Sequence, residues 1–167
     1  VFEQTRALFF HYHQIFDAYN TYDGLYNLCY INEHAGKEEV SAEPELIEIL
    51  VWLKENQPIS KGKVNVAMGS VLFMWHDARS SEEEPKIVPD MSLLKNASLH
   101  TDFEDVIIDS ERLTVHYNDP ELQIDLGAVA KGYTVEIAAQ QLDAGPMPSY
   151  ITSAGGNVRC GQQPLDG

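Results

Sequence analysis

The sequence predicts an α+β fold. Apolar residues recur three and four apart in several stretches, which marks helices. Short runs of β-branched and aromatic residues sit between turn signals and form a small antiparallel meander. These helical and strand blocks alternate along the chain, which favours α+β over a single-class fold.

The elements follow in order. Leu8, Phe9, Tyr12, Ile15, Phe16 and Tyr19 share one face of a helix expected over Thr5 to Tyr22, ahead of the Tyr22-Asp23-Gly24 turn. A short helix is expected over Leu25 to Asn32. Glu43 to Glu55 is amphipathic, with Leu46, Ile49, Leu50 and Leu53 inward and Glu45, Glu48 and Glu55 outward, and Gln57-Pro58 is expected to end it. Gly62 to Ala67 reads as a loop or short extended piece, and Gly69 to Trp75 as an apolar helix. Ala78 to Pro89, with its Glu82-Glu83-Glu84 run, is expected to be a mobile surface loop with a solvated acidic face. Met91 to Leu99 is a short helix. Asp105–Ile108, Leu113–Tyr117 and Leu122–Asp125 are expected as the three strands of the meander. Gly127 to Leu142 returns to helix, with Gly145-Pro146 stopping it. Tyr150–Ser153 and Asn157–Cys160 form a last pair of strands around Ala154-Gly155-Gly156.

A length of 167 residues fits one domain, and 44% hydrophobic content supports a core. Val1 opens directly into a helical pattern without an initiator Met, and Gln162 to Gly167 is turn-like. The expectation is a single partial domain over 1–167, cut at both ends. The formal net charge of −15 repels phosphate backbones, which argues against a general nucleic-acid binder. A polyanionic ligand would need local cations, a helix terminus or a metal ion. No run of about 18 apolar residues marks a transmembrane helix. Cys29 and Cys160 are expected as free, partly buried thiols.

The histidines give little chemistry. His11 and His13 lie on different sides of a helix and cannot share a metal. His34 precedes a turn, His76-Asp77 are sequence neighbours that rarely face each other, and His100 and His116 have no local partners. Asn96-Ala97-Ser98 is a formal sequon without weight here.

The richest stretch is Ile124-Asp125-Leu126-Gly127-Ala128-Val129-Ala130-Lys131-Gly132-Tyr133. A strand ends in an acid, Gly127 permits a sharp turn, and a helix starts. That start offers unpaired N–H groups and about half a positive charge to an anion. Lys131, about one turn in, could reach a phosphate. Asp125 serves equally well as a simple N-cap, and a capped helix packed on a sheet accounts for the same residues.

This stretch closely resembles the Asp-Leu-Gly-x-x-Ala-Lys-Gly-Tyr motif of the FAD:protein FMN transferases, the ApbE-like family once labelled thiamine-biosynthesis lipoproteins. Three more stretches match in order: Phe16-Asp17-Ala18-Tyr19-Asn20, the block from Gly62 to Trp75, and Ser153-Ala154-Gly155-Gly156-Asn157-Val158-Arg159. The resemblance spans essentially the whole chain and implies an antiparallel sheet with flanking helices, a T-fold-related architecture.

The resemblance also implies a site. Tyr19 would lie against the isoalloxazine ring, and Lys63, Val64 and Asn65 would line an FAD channel. Asp125 would hydrogen-bond the flavin nucleotide, and Lys131 would approach its phosphate or ribose. The main-chain carbonyl of Ala128 would be one Mg2+ ligand, with the side-chain ligands and an acceptor-activating histidine expected beyond Gly167. No residue of the chain is expected as a catalytic base. The reaction implied is transfer of FMN from FAD to a threonine hydroxyl of an acceptor flavoprotein, releasing AMP, outside the cytoplasmic membrane on a lipid-anchored enzyme. Where the family has Asp, Thr and Pro in its second block, this chain has Asn65, Ala67 and Ser70. A flavin-binding or trafficking protein without transferase activity, or a degenerate homologue, would use the same segments.

Overall fold

The computed structural model describes residues 1–82 and 86–163. The first helix, α1 (Phe2–Ile15), starts earlier and stops earlier than its apolar spacing predicts. Its stop has a side-chain cause. The Asp17 carboxylate accepts the amides of Tyr19 and Asn20 at 2.8 and 3.1 Å. The buried Asn27 donates to the carbonyls of Gln14, Asp17 and Asn20. Such bonds offer the backbone an alternative to the helical ladder. Asn27 then caps α2 (Leu28–His34), accepting from the Tyr30 amide, so this helix lies a few residues beyond the expected span.

The helix α3 (Pro44–Ser60) opens with Pro at its first turn, where no N–H is missed. Leu46, Ile49, Leu50 and Leu53 are buried as expected. The helix does not end at Gln57-Pro58, because Pro58 falls in the final turn. Termination comes instead at Lys61 and Gly62, both in left-handed conformation with φ of 52° and 73°. A 3-10 turn at Val66–Met68 leads into α4 (Gly69–Ser80), which continues past Trp75. The expected surface loop therefore begins after Ser80, and its residues 83–85 lie outside the described residues, as do 164–167 of the final turn-like run. Helix α5 (Met91–Ala97) is capped by Asp90 and is shorter than expected.

The main sheet is antiparallel with order β1-β3-β2, formed by β1 (Val40–Ser41), β2 (Val106–Asp109) and β3 (Thr114–Tyr117). Val40 pairs with Val115, and Val106 with Tyr117. Its third strand is β1, not the expected Leu122–Asp125. That segment is extended, and Leu122, Ile124 and Leu126 are buried on alternate positions, but it joins no ladder. The alternation came from burial on one side, which period-2 patterning cannot tell from pairing. Helix α6 (Ala130–Asp143) begins after a turn at 127–129, not at Gly127. It lies along the hairpin of β4 (Ile151–Ala154) and β5 (Asn157–Cys160), whose tight turn places Gly155 and Gly156 at φ of 58° and 103°.

One apolar core joins α2, α3, the main sheet and the Leu122–Leu126 segment. The architecture is α+β, as predicted. Both thiols are free, but only Cys29 is buried; Cys160 is exposed on the outer face of β5. His100 does have partners: its Nδ1 lies 2.8 Å from Asp119 Oδ2 and its Nε2 3.5 Å from Glu121. Among the described residues no helix is long and apolar enough to cross a membrane.

Candidate functional site

Two chain segments lie side by side to make the floor of the site. The Asp125 amide donates to the Val66 carbonyl at 2.8 Å, and the Gly69 amide to the Gln123 carbonyl at 2.9 Å. A Cβ at Gly69 would stand 2.6 Å from that carbonyl oxygen, so only glycine permits this approach. Ser70 adds a hydroxyl bond to the Glu121 carbonyl at 2.7 Å. From the core side, Asn32 accepts the Ile124 amide and donates to the Ile124 carbonyl. The segment before Asp125 is thus fixed by side chains and single backbone bonds in place of a strand ladder.

Asp125 itself is half-buried. Its Oδ1 accepts the Gly127 amide at 2.7 Å, closing the turn that leads to α6, and its Oδ2 receives the Tyr19 hydroxyl at 3.5 Å. This carboxylate caps the turn and not the helix, whose first residue is Ala130. Lys131 reaches back, with Nζ 3.5 Å from the Gly127 carbonyl, and its stem lies against Gly155 of the hairpin turn. The turn at Gly127 therefore gathers Tyr19, Asp125 and Lys131. An acceptor-only carboxylate, a phenol, an ammonium and the positive end of a helix meet there, a set that suits a polar ligand carrying an anionic group.

Tyr19 belongs to a loop with little freedom. Besides the two amides, Asp17 accepts the Tyr22 hydroxyl at 2.7 Å and the Asn20 side-chain amide at 3.0 Å. Burial raises the Asp17 pKa, but these bonds outweigh it and leave the group below its ordinary value. The Tyr19 ring stacks on His76 of α4, with centroids 4.1 Å apart and planes 24° apart, and meets the edge of Phe73. Burial first, then the charge of Asp125, raises the Tyr19 pKa, so its hydroxyl stays protonated and donates.

On the other side of the turn runs an open trough between α3 and α6. One part, of about 270 Å³, lies between Trp52, Ile59, Val64 and Val129. It adjoins a second, of about 510 Å³, walled by Glu48, Trp52, Ala128, Val129, Tyr133 and Ile137. Val64 and the start of α6 thus face one cleft, a concave and mainly apolar surface of the kind that holds flat ligands. The Tyr133 hydroxyl is buried and makes no hydrogen bond of ordinary geometry, although the Glu48 carboxylate lies close enough to act on it. Burial, followed by the field of the Glu48 carboxylate, pushes its pKa up to about 12.

The remaining expected residues fall as follows. Lys63 is exposed on the loop after α3, its amide bonded to the Ser60 carbonyl. Asn65 is turned inward: its Oδ1 caps the 3-10 turn at the Ala67 amide and its Nδ2 donates to the Thr101 carbonyl. Ala128 is exposed and offers a hard carbonyl oxygen. Among the described residues no group of three or more His, Cys, Asp or Glu could hold a metal ion. Magnesium demands near-octahedral oxygen ligation, which these residues alone do not supply.

Trp52 and Asn32 are not singled out by the sequence, and His76 is set aside there as a neighbour of Asp77. Trp52 sits among the outward acids of α3, an aromatic on a polar face, and that was a readable signal. Asn32 and His76 carry no local signal, because their partners are remote in sequence.

The chain is similar to known proteins over nearly its whole length. The model of the ApbE family matches residues 3–167. An FAD:protein FMN transferase of Vibrio cholerae is 24% identical over 146 residues, 87% of this chain and 42% of that protein. An FAD:protein FMN transferase of Treponema pallidum is 29% identical over 136 residues, 78% of this chain and 36% of that protein. Among solved structures, the flavin transferase ApbE from Vibrio cholerae superposes with a TM-score of 0.82 at 22% identity, covering 99% of this chain and 51% of that one. The ApbE protein from Thermotoga maritima gives a TM-score of 0.80 at 23% identity over 95% of this chain and 49% of that one. These structures share the fold, and the chain spans about two-fifths to one-half of the length of the relatives it matches.

Proposed function

Because the chain belongs to the ApbE family, we propose that it forms the flavin-binding part of an FAD:protein FMN transferase. The observation that carries this reading is the gathering of Tyr19, Asp125 and Lys131 around the Gly127 turn, beside an open trough lined by Val64 and Val129. Tyr19 offers a flat face to the isoalloxazine ring, Asp125 an acceptor to its polar groups, and Lys131 a charge to the phosphates. Lys63, Val64 and the main chain of Asn65 form the channel wall.

In the reaction we propose, a threonine hydroxyl of an acceptor flavoprotein attacks the FMN-side phosphorus of FAD. The new P–O bond forms as the bond to the AMP phosphate oxygen breaks. AMP leaves with that electron pair, and the threonine proton passes to solvent or to a base outside the described residues. Lys131 and the N-terminal end of α6 stabilise charge that develops on the phosphate oxygens. Magnesium would neutralise pyrophosphate charge, and the Ala128 carbonyl would be the one ligand these residues lend it. We further propose, from the sequence resemblance alone, a location outside the cytoplasmic membrane on a lipid anchor.

The test is incubation with FAD, magnesium and a threonine-bearing acceptor, followed by mass spectrometry of the acceptor. A mass gain equal to FMN, absent when the target threonine is replaced, is the expected result. Tight FAD binding without any gain would make the protein a flavin holder, and no FAD binding at all would overturn the reading.

A further inference from the structure

We infer that His76 is a positioning residue for the flavin: it backs the Tyr19 ring and fixes the plane on which the isoalloxazine stacks. The inference rests on the flavin reading of the site but concerns a residue outside every motif that led to it. Asp17 and Asn27 fix the backbone of the Tyr19 loop, yet a tyrosine side chain on a fixed backbone still turns about two bonds. Its hydroxyl contact to Asp125, at 3.5 Å, lies at the outer limit of a hydrogen bond and holds the ring weakly. The strong constraint is on the ring. His76 covers one face at 4.1 Å, and Phe73, one turn earlier on α4, packs against the same ring at a steep angle with centroids 5.4 Å apart. Tyr19 remains 48% exposed, so part of its side chain is open to a ligand.

The imidazole is itself held. Its Nδ1 lies 3.3 Å from an Arg79 guanidinium nitrogen and its Nε2 lies 3.4 Å from the Ser80 hydroxyl. Guanidinium only donates, so Nδ1 accepts and the proton sits on Nε2, facing Ser80. Helix α4 thus presents an oriented aromatic plate behind Tyr19. A flavin added to the far face extends this stack from two rings to three, and the ordering of the tyrosine is complete before the ligand arrives.

The experiment is titration with FAD, read by quenching of flavin fluorescence, on the wild type and on His76→Ala, His76→Gln and His76→Phe, with ADP affinity measured by competition. Alanine removes the plate and is expected to weaken FAD binding by roughly three- to tenfold, the scale of one aromatic contact. Phenylalanine keeps the plate and should restore affinity to within about twofold, whereas glutamine, which keeps only hydrogen bonding, should not. ADP lacks the isoalloxazine, so its affinity should be equal in all four proteins. Wild-type affinity for FAD in the alanine variant, rescue by glutamine but not phenylalanine, or an equal loss for ADP would each overturn the inference while leaving the flavin reading intact. Failure of the wild type to bind FAD would overturn both.

Discussion

Asn32 holds both polar groups of Ile124, accepting the amide at 2.8 Å and donating to the carbonyl at 2.9 Å. It does for this extended segment what a neighbouring strand would do in a sheet. The same Oδ1 receives the hydroxyl of Tyr117, whose pKa burial raises and which therefore stays a donor. Asn32→Asp keeps the shape but replaces the donor with a carboxylate facing the Ile124 carbonyl. The expected cost is about 1–3 kcal/mol, read as a lower urea midpoint, and FAD affinity should fall with it because Asp125 follows directly. A midpoint equal to wild type would show that the pairing contributes nothing.

At Gly69 conformation and space pull in opposite directions. Its φ and ψ of −53° and −45° are helical, so alanine there gains helix propensity. The added Cβ, however, would lie 2.6 Å from backbone oxygen of Gln123, which no side-chain rotation relieves. The steric term wins. Gly69→Ala is expected to lose about 1–3 kcal/mol by chemical denaturation; a stabilised variant would mean that the two segments part easily.

Asp17 makes stability depend on acid. Burial raises its pKa, hydrogen bonds from Asn20, the Tyr19 amide and Tyr22 lower it further, and the folded value ends below the ordinary 3.8. A depressed folded value adds stability above the unfolded pKa and loses it as pH falls through the folded one. Asp17→Ala should cost about 1–3 kcal/mol at neutral pH, and its gap from wild type should close as pH drops below the ordinary value. A gap constant down to pH 3 would assign the loss to packing alone.

These cases mark what the sequence could and could not convey. The buried face of α3 was legible because Leu46, Ile49, Leu50 and Leu53 repeat at helical spacing, and the hairpin turn because Gly155-Gly156 admits positive φ. The Asp125–Gly127 turn was legible as a motif. The end of α1 was not, since Asp17 and Asn27 capture the backbone there through bonds that no periodicity encodes. Leu122–Asp125 alternates like a strand, yet it is held by the Asn32 side chain and by single backbone bonds to Val66 and Gly69 in place of a ladder. Two-residue β1 is too short to show any period. Within the site, Asp125 and Lys131 could be read from their turn, whereas the stacking of Tyr19 on His76 exists only after the chain has folded α4 against the loop.

Asp125 closes the turn, and the proposed function also makes it a ligand acceptor, so the two roles can be tested apart. Asp125→Asn retains an Oδ1 for the Gly127 amide, so its stability should stay within about 1 kcal/mol of wild type. FAD affinity should nevertheless change, because a charge is lost beside Tyr19 and Lys131. Asp125→Ala should lower both. If the asparagine variant unfolds as early as the alanine one while FAD binding is untouched, Asp125 is a structural cap and nothing more.

Tyr133 gives the sharpest alkaline prediction. Its hydroxyl is buried without a hydrogen bond of ordinary geometry, and burial, followed by the charge of Glu48, pushes the pKa up to about 12 against 10.0 for a free phenol. Between those values the unfolded chain has released the proton while the folded one still holds it. Linkage then draws the equilibrium towards unfolding, so the stability tied to this group is complete below pH 10 and drains away as pH rises towards 12. Tyr133→Phe removes both the unsatisfied hydroxyl and the titration. It should raise stability by about 1 kcal/mol at neutral pH, because a buried polar atom no longer lacks water, and it should flatten part of the alkaline fall. Thermal melts of both proteins at pH 7, 9 and 10.5 check each half separately. A variant less stable than wild type at pH 7 would show that the hydroxyl has a partner after all.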